Sequence, residues 1–191
     1  MVFHICQEEI GAFINMKEGR DLQQKTINLL IIDVDGTLTD GGMYYDDQGH
    51  EWKKFNTRDG KGIELLREHG IATMILTSED TPIVSFRAKK LKVEFCYMGI
   101  KDKKAKLDSF FQEHTRYAYE TSAYIGDDVN DVAAMKCVAF SAVPADGAEN
   151  NKEVADYICQ HKGGEGCVRE VCERLIKKIR EKKLELSTVQ M

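Results

Sequence analysis

The chain has 191 residues, 42% hydrophobic and 31% charged, with only two prolines, a balance that suits one folded domain with a full core and excludes a disordered chain. A formal net charge of −5 and a pI near 5.6 leave no basic footprint for nucleic acid. No apolar run reaches the roughly 18 residues of a membrane span, and the first residues lack a secretory signal pattern, so a reducing cytoplasm is the expected compartment.

Residues 1–27 form an N-terminal extension that the pattern does not place. The run NLLIIDV (28–34) reads as a strand covered on both faces. It ends by presenting Asp33 and Asp35, with Gly36 and Thr37 following. Residues i and i+2 of a strand face the same way, so both carboxylates can point into one site. Like charges that close cost energy unless a cation or a reaction uses them. Two inequivalent carboxyl groups suit a division of labour in which one attacks and the other handles protons.

Residues 41–58, aromatic and charged around the DDQG turn, suit a β-hairpin beside those carboxylates, placed to gate substrate or to join subunits. DGKGIELLREHG reads as a short amphipathic helix with a glycine stop, and IATMILTS (71–78) as a second buried strand that brings Thr77 and Ser78 to its end. Thr81 and Pro82 are the expected N-cap and first residue of the next helix. VEFCYM follows as a short strand, and Asp102 opens a helix carrying Lys103, a point charge suited to a phosphoryl oxygen.

SAYIGDD (122–128) is a further strand, ending in Asp127 and Asp128 with Asp131 a turn later, and NDVAAMKC is a helix. VAFSAV (138–143) is the last strand expected. Asp127, Asp128 and Asp131 with a backbone oxygen form the hard-oxygen set that Mg²⁺ accepts. This alternation predicts an α/β fold, a Rossmann-like parallel sheet between two helical layers, with ligands at the carboxyl ends of the strands. All the polar residues singled out fall there.

The tail from Gly163 opens on glycines at 163, 164 and 166, which favour mobility, and becomes a charged helix. Val168, Val171, Cys172, Leu175, Ile176 and Ile179 lie on its apolar stripe. Cys159, His161, Cys167 and Cys172 match none of the usual zinc spacings, and free thiols in a packed segment are the expectation.

Each motif alone is weak, since a D-x-D pair is often an Asx turn and a strand-end Thr or Lys is often solvated. Their order, D-x-D-G-T, then Thr, then Lys, then G-D-D-x-x-D, resembles the haloacid dehalogenase (HAD) superfamily of phosphohydrolases over residues 28–172, with 173–191 a helical tail. The resemblance implies that Asp33 is the nucleophile forming an aspartyl phosphate and that Asp35 is the general acid and base. It implies that Thr77 and Lys103 hold the phosphoryl group. Mg²⁺ would lie between the Asp33 and Asp127 carboxylates and the Asp35 carbonyl, with Asp128 and Asp131 in support.

Too few residues separate these motifs for a folded cap domain. The hairpin and the GGEGCVRE segment look like the capless subgroup containing 3-deoxy-D-manno-octulosonate 8-phosphate phosphatases and 2-keto-3-deoxynononate 9-phosphate phosphatases. That subgroup implies a homotetramer joined through the hairpins, with the Arg169-containing tail as a lid on a neighbouring site. Ser78, Glu79, Arg87 and Lys90 are then candidate substrate contacts. The last three resemble the nononate pattern, so a nine-carbon sugar acid 9-phosphate, including an N-acylneuraminate, is favoured. TRDG keeps the eight-carbon substrate as the alternative. A further alternative is a noncatalytic oligomerisation domain like the tail of CMP-sialate synthetases.

Overall fold

The computed structural model describes residues 26–189, so the N-terminal extension, apart from Thr26 and Ile27, lies outside the described residues. Strand β1 (Leu29–Ile32) is followed by a wide turn in which Asp35 is extended and Gly36 takes φ +79°. A two-stranded antiparallel hairpin comes next, β2 (Tyr44–Tyr45) with β3 (Glu51–Trp52). Its turn is the expected one: Asp46 Oδ1 accepts from the main-chain N–H groups of Gln48 and His50, and Gly49 takes φ +82°.

Helix α1 (Thr57–Glu68) is capped by Asn56, whose side chain accepts from Arg58 N–H. It leads to β4 (Ala72–Leu76), α2 (Pro82–Leu91), β5 (Phe95–Tyr97) and α3 (Lys103–Glu113). Thr81 and Pro82 open α2 as expected, and Asp102 caps α3 through Ala105 N–H. Then come β6 (Ser122–Ile125), the single turn α4 (Val132–Met135) and β7 (Phe140–Val143). The chain continues with α5 (Glu149–Val154), β8 (Tyr157–Ile158) and the long α6 (Cys167–Val189).

The main sheet has six parallel strands in the order β5-β4-β1-β6-β7-β8. The sequence pattern stops one strand short. β8 has only two residues and follows a polar segment, too brief for a hydrophobic period to mark it.

Alternation along β1 feeds two cores. Leu30 and Ile32 pack with Ile63 and Leu66 of α1, Val84 of α2, and Val168, Val171 and Cys172 of α6. Leu29 and Ile31 pack on the opposite face with Leu107 and Phe110 of α3 and Met135 of α4. The predicted three layers are therefore present, and no folded cap interrupts them. Helix α6 runs without a break through position 172, and Leu175 and Ile176 are still buried. No helix among the described residues is long and apolar enough to cross a membrane.

The register decides where the polar residues meet. Ile32 lies opposite both Ile75 of β4 and Ile125 of β6, so the three central strands end level. Helices α1 and α2 connect strands on one face before α3 crosses to the other, which makes the gap between β1 and β6 the point where the strand order reverses. Parallel sheets bind ligands outside the strand ends at such a point.

Candidate active site

Asp33 follows the last residue of β1 and its N–H is held by Ile125 O, which fixes the side chain at the reversal point. Lys103 reaches the same place from the first turn of α3. Its buried Nζ donates to Asp33 Oδ1 at 2.6 Å and to Asp131 Oδ1 at 2.6 Å. Thr77 is buried beyond β4, with its Oγ1 accepting from Glu79 N–H. Asp127 lies beyond β6 and accepts from Thr37 Oγ1 at 3.4 Å.

Among the described residues, Asp33, Asp127 and Asp131 form a group whose carboxylate oxygens all lie within 4.8 Å of one another. Asp131 is already committed. Its Oδ1 accepts from Lys103 and from Tyr124 OH at 2.6 Å, and its Oδ2 from the main-chain N–H groups of Asp127 and Asp128. Asp33 and Asp127 are thus the two carboxylates available to a cation.

Three carboxylates against one ammonium leave the centre short of positive charge. Burial pushes the Asp33 carboxyl well up, with Asp131 adding to the shift and Lys103 opposing it. Asp127 is pushed up to about 6, first by burial and then by Asp131 and Asp128, against a hydrogen bond with Asp33 that lowers it. A divalent oxygen-seeking ion supplies the missing charge, so the residues fit Mg²⁺. Gly36 shapes the same spot, since a Cβ there would run into the Asp127 carboxylate.

Asp35 turns toward the hairpin, and its half-buried carboxyl is raised by burial while Lys53 pulls the other way. Sequence reasoning misses Lys53, because its EWKKF context reads as a charged surface strand. It also misses Tyr124, although a tyrosine inside an apolar strand needs a partner for its hydroxyl. Asp128 is exposed and caps the short turn that follows it.

The expected substrate contacts divide. Ser78 Oγ donates to Ile100 O and accepts from Asn130 Nδ2, and Glu79 accepts from Lys53 at 2.7 Å beside Asp35. Arg87 donates from Nη2 to Asn56 O and lies over the Phe55 ring, with its Nε buried and unpartnered, while Lys90 is exposed on α2. Neither joins Glu79. Arg169 pairs with Glu173 one turn along its own helix, and its N–H donates to buried Asp59.

The glycines before α6 are held against the turn that follows β1. Gly164 N–H donates to Thr37 O and Asn56 Nδ2 donates to Gly164 O. A Cβ at Gly163 would overlap Gly36 O, so glycine permits close approach to the Asp33–Asp40 turn. The metal-ligating groups that converge among the described residues are Asp33, Asp127 and Asp131, not the cysteines, and His161 pairs with Glu170.

No protein-family model matches the chain. The 3-deoxy-D-manno-octulosonate 8-phosphate phosphatase of Escherichia coli is 38% identical over 152 residues, 80% of each chain. The enzyme of that name from Yersinia pestis is 38% identical over 162 residues, 85% of each chain. Among solved structures, the Moraxella catarrhalis enzyme in complex with magnesium, phosphate and KDO aligns with TM-score 0.79 at 35% identity, covering 87% of this chain and 95% of that one. A HAD superfamily subfamily III A hydrolase from Legionella pneumophila aligns with TM-score 0.81 at 30% identity, covering 95% and 100%.

Proposed function

Because the chain belongs to the HAD phosphatases, in the family of the 3-deoxy-D-manno-octulosonate 8-phosphate phosphatases, we propose that it hydrolyses the 8-phosphate of that eight-carbon sugar acid. The observation that carries the substrate reading is the 38% identity to enzymes of that name over 80% of both chains. The nine-carbon preference drawn from Glu79, Arg87 and Lys90 finds no such support. Arg87 is tied to Asn56, Lys90 is on the surface, and the relatives at 38% identity are named for the eight-carbon ester. The noncatalytic alternative loses ground for the same reason, since these relatives are phosphatases.

In this reading the Asp33 and Asp127 carboxylates and the Asp35 carbonyl would hold Mg²⁺, which would offset the negative charge of the phosphoryl group. Asp33 attacks phosphorus, the bond to the sugar oxygen breaks, and the leaving alkoxide takes the proton of the Asp35 carboxyl. Asp35 then takes a proton from water, whose oxygen displaces Asp33 and releases inorganic phosphate. Lys103 and Thr77 neutralise and orient the phosphoryl oxygens, while Asp131 fixes Lys103. Asp128 supports the turn after β6.

Self-association through the hairpin is part of the same reading. Met43, Tyr45 and Trp52 are 56%, 59% and 64% exposed on one small element, an apolar group that a second copy would cover.

The test is phosphate release with Mg²⁺ from 3-deoxy-D-manno-octulosonate 8-phosphate, 2-keto-3-deoxynononate 9-phosphate and N-acetylneuraminate 9-phosphate. The highest kcat/KM on the eight-carbon ester is expected. Faster turnover of either nine-carbon ester would overturn the substrate reading while leaving the chemistry intact.

A further inference from the structure

The hairpin delivers one side chain to the site that the reaction as described does not use. The side chain of Lys53, next to β3, is 2% exposed, and its Nζ donates to Asp35 Oδ1 at 2.5 Å and to Glu79 Oε2 at 2.7 Å. Glu51 Oε1 lies 3.1 Å away. These carboxylates come from three segments: the turn after β1, the loop after β4 and the hairpin itself. The ammonium is outnumbered, and although burial opposes its charge, the three acids raise its pKa. A lysine so surrounded is poorly placed to bind a substrate carboxylate.

It is well placed to hold Asp35. A hydrogen bond donated to Oδ1 leaves Oδ2 as the atom that carries a transferable proton, and it fixes the direction in which that proton points. Asp35 sits on an extended residue before a glycine with positive φ, and Lys53 is the hydrogen-bond donor that its carboxylate meets among the described residues. We infer that Lys53 is a positioning residue, locking Asp35 so that Oδ2 faces the leaving oxygen, and tying the hairpin to the reaction centre through Asp35 and Glu79. The inference rests on the reading of Asp35 as the general acid.

That role has a signature that a structural role lacks. An alkoxide needs the proton of Asp35 to leave, whereas p-nitrophenolate leaves without one, and kcat/KM reports the step in which the ester bond breaks. The experiment measures kcat/KM for Lys53→Met, Lys53→Arg and Asp35→Asn on p-nitrophenyl phosphate and on an alkyl phosphate that the wild type hydrolyses, with circular dichroism on each variant. For Lys53→Met, kcat/KM is expected to fall about 100-fold on the alkyl ester and less than about 3-fold on the aryl ester.

Lys53→Arg keeps the charge but not the point geometry, and is expected to show the same discrimination at about 10-fold. It carries the test alone if Lys53→Met does not fold. Equal losses on both esters, or no loss on the alkyl ester, would overturn the inference. If Asp35→Asn itself fails to discriminate, the acid assignment falls and takes the Lys53 role with it. If Asp35→Asn discriminates and the Lys53 variants do not, the Lys53 role alone is wrong.

Discussion

Lys103 and Asp33 form an ion pair of 2.6 Å with side chains 0% and 7% exposed, and the same Nζ is shared with Asp131, which is 0% exposed. Removing the ammonium from this set leaves the carboxylates uncompensated in the interior. Lys103→Met is therefore expected to cost about 3–5 kcal/mol of stability, besides ending phosphate release. Thermal and urea unfolding check the first effect. A variant as stable as the wild type would show that the two aspartates are not held ionised by Lys103.

Asp33→Asn tests the nucleophile. An amide cannot form the aspartyl phosphate, so turnover should drop by about three orders of magnitude or more. The fold should persist, because burial and Asp131 already disfavour the Asp33 charge and a neutral group of the same shape removes that cost. Readily measured turnover in an Asp33→Asn preparation that mass spectrometry shows to be free of deamidated protein would defeat the assignment.

The metal-free protein carries two raised carboxyls at this site, Asp33, pushed well up, and Asp127, raised from 3.8 to about 6, both mainly by burial. A raised carboxyl binds more protons folded than unfolded, so its contribution to stability is full below the unfolded value and is lost as pH rises through the folded one. Mg²⁺ binds the ionised form and competes with that proton. Its stabilising shift in Tm is expected to be small near about pH 5 and larger near about pH 7.5. An equal shift at both values would mean that Mg²⁺ displaces no proton from these carboxyls, which overturns either their raised values or their role as ligands.

Much of this site was legible because its chemistry is written at strand ends. Apolar runs mark β1, β4 and β6, and a level register then brings Asp33, Thr77 and Asp127 together without any further signal. What stayed hidden depends on contacts distant in sequence. Lys53 meets Asp35 across 18 residues and Glu79 across 26, and nothing local separates it from the exposed Lys54 beside it. Arg87 misleads in the opposite sense: helical spacing beside Lys90 suggests a shared ligand, but its partner Asn56 lies on another helix start.

The hairpin carries the next expectation. Replacing Tyr45 by Ser and Trp52 by Glu removes exposed apolar area without touching the buried Lys53 side chain. Sedimentation velocity should move from an assembly to the monomer. A wild-type chain that sediments as a monomer would remove the proposed association.

The glycines before α6 provide a last expectation. Three glycines in four positions suggest mobility, yet the segment is bonded to Thr37 and Asn56 and lies against the backbone of the turn that carries Asp35 and Gly36. At Gly163 the obstacle to a side chain is backbone, the carbonyl oxygens of Gly36 and Thr39, which cannot rotate aside. Gly163→Ala must therefore push the turn and the segment apart, at a cost of about 1–3 kcal/mol. The turn also sets where Asp35 and the Asp127 carboxylate stand, so kcat should fall with the stability. Exposed Glu165, two residues along, is the control: Glu165→Ala should leave both unchanged. If the segment were instead a loose lid, Gly163→Ala would leave Tm in place and alter KM alone.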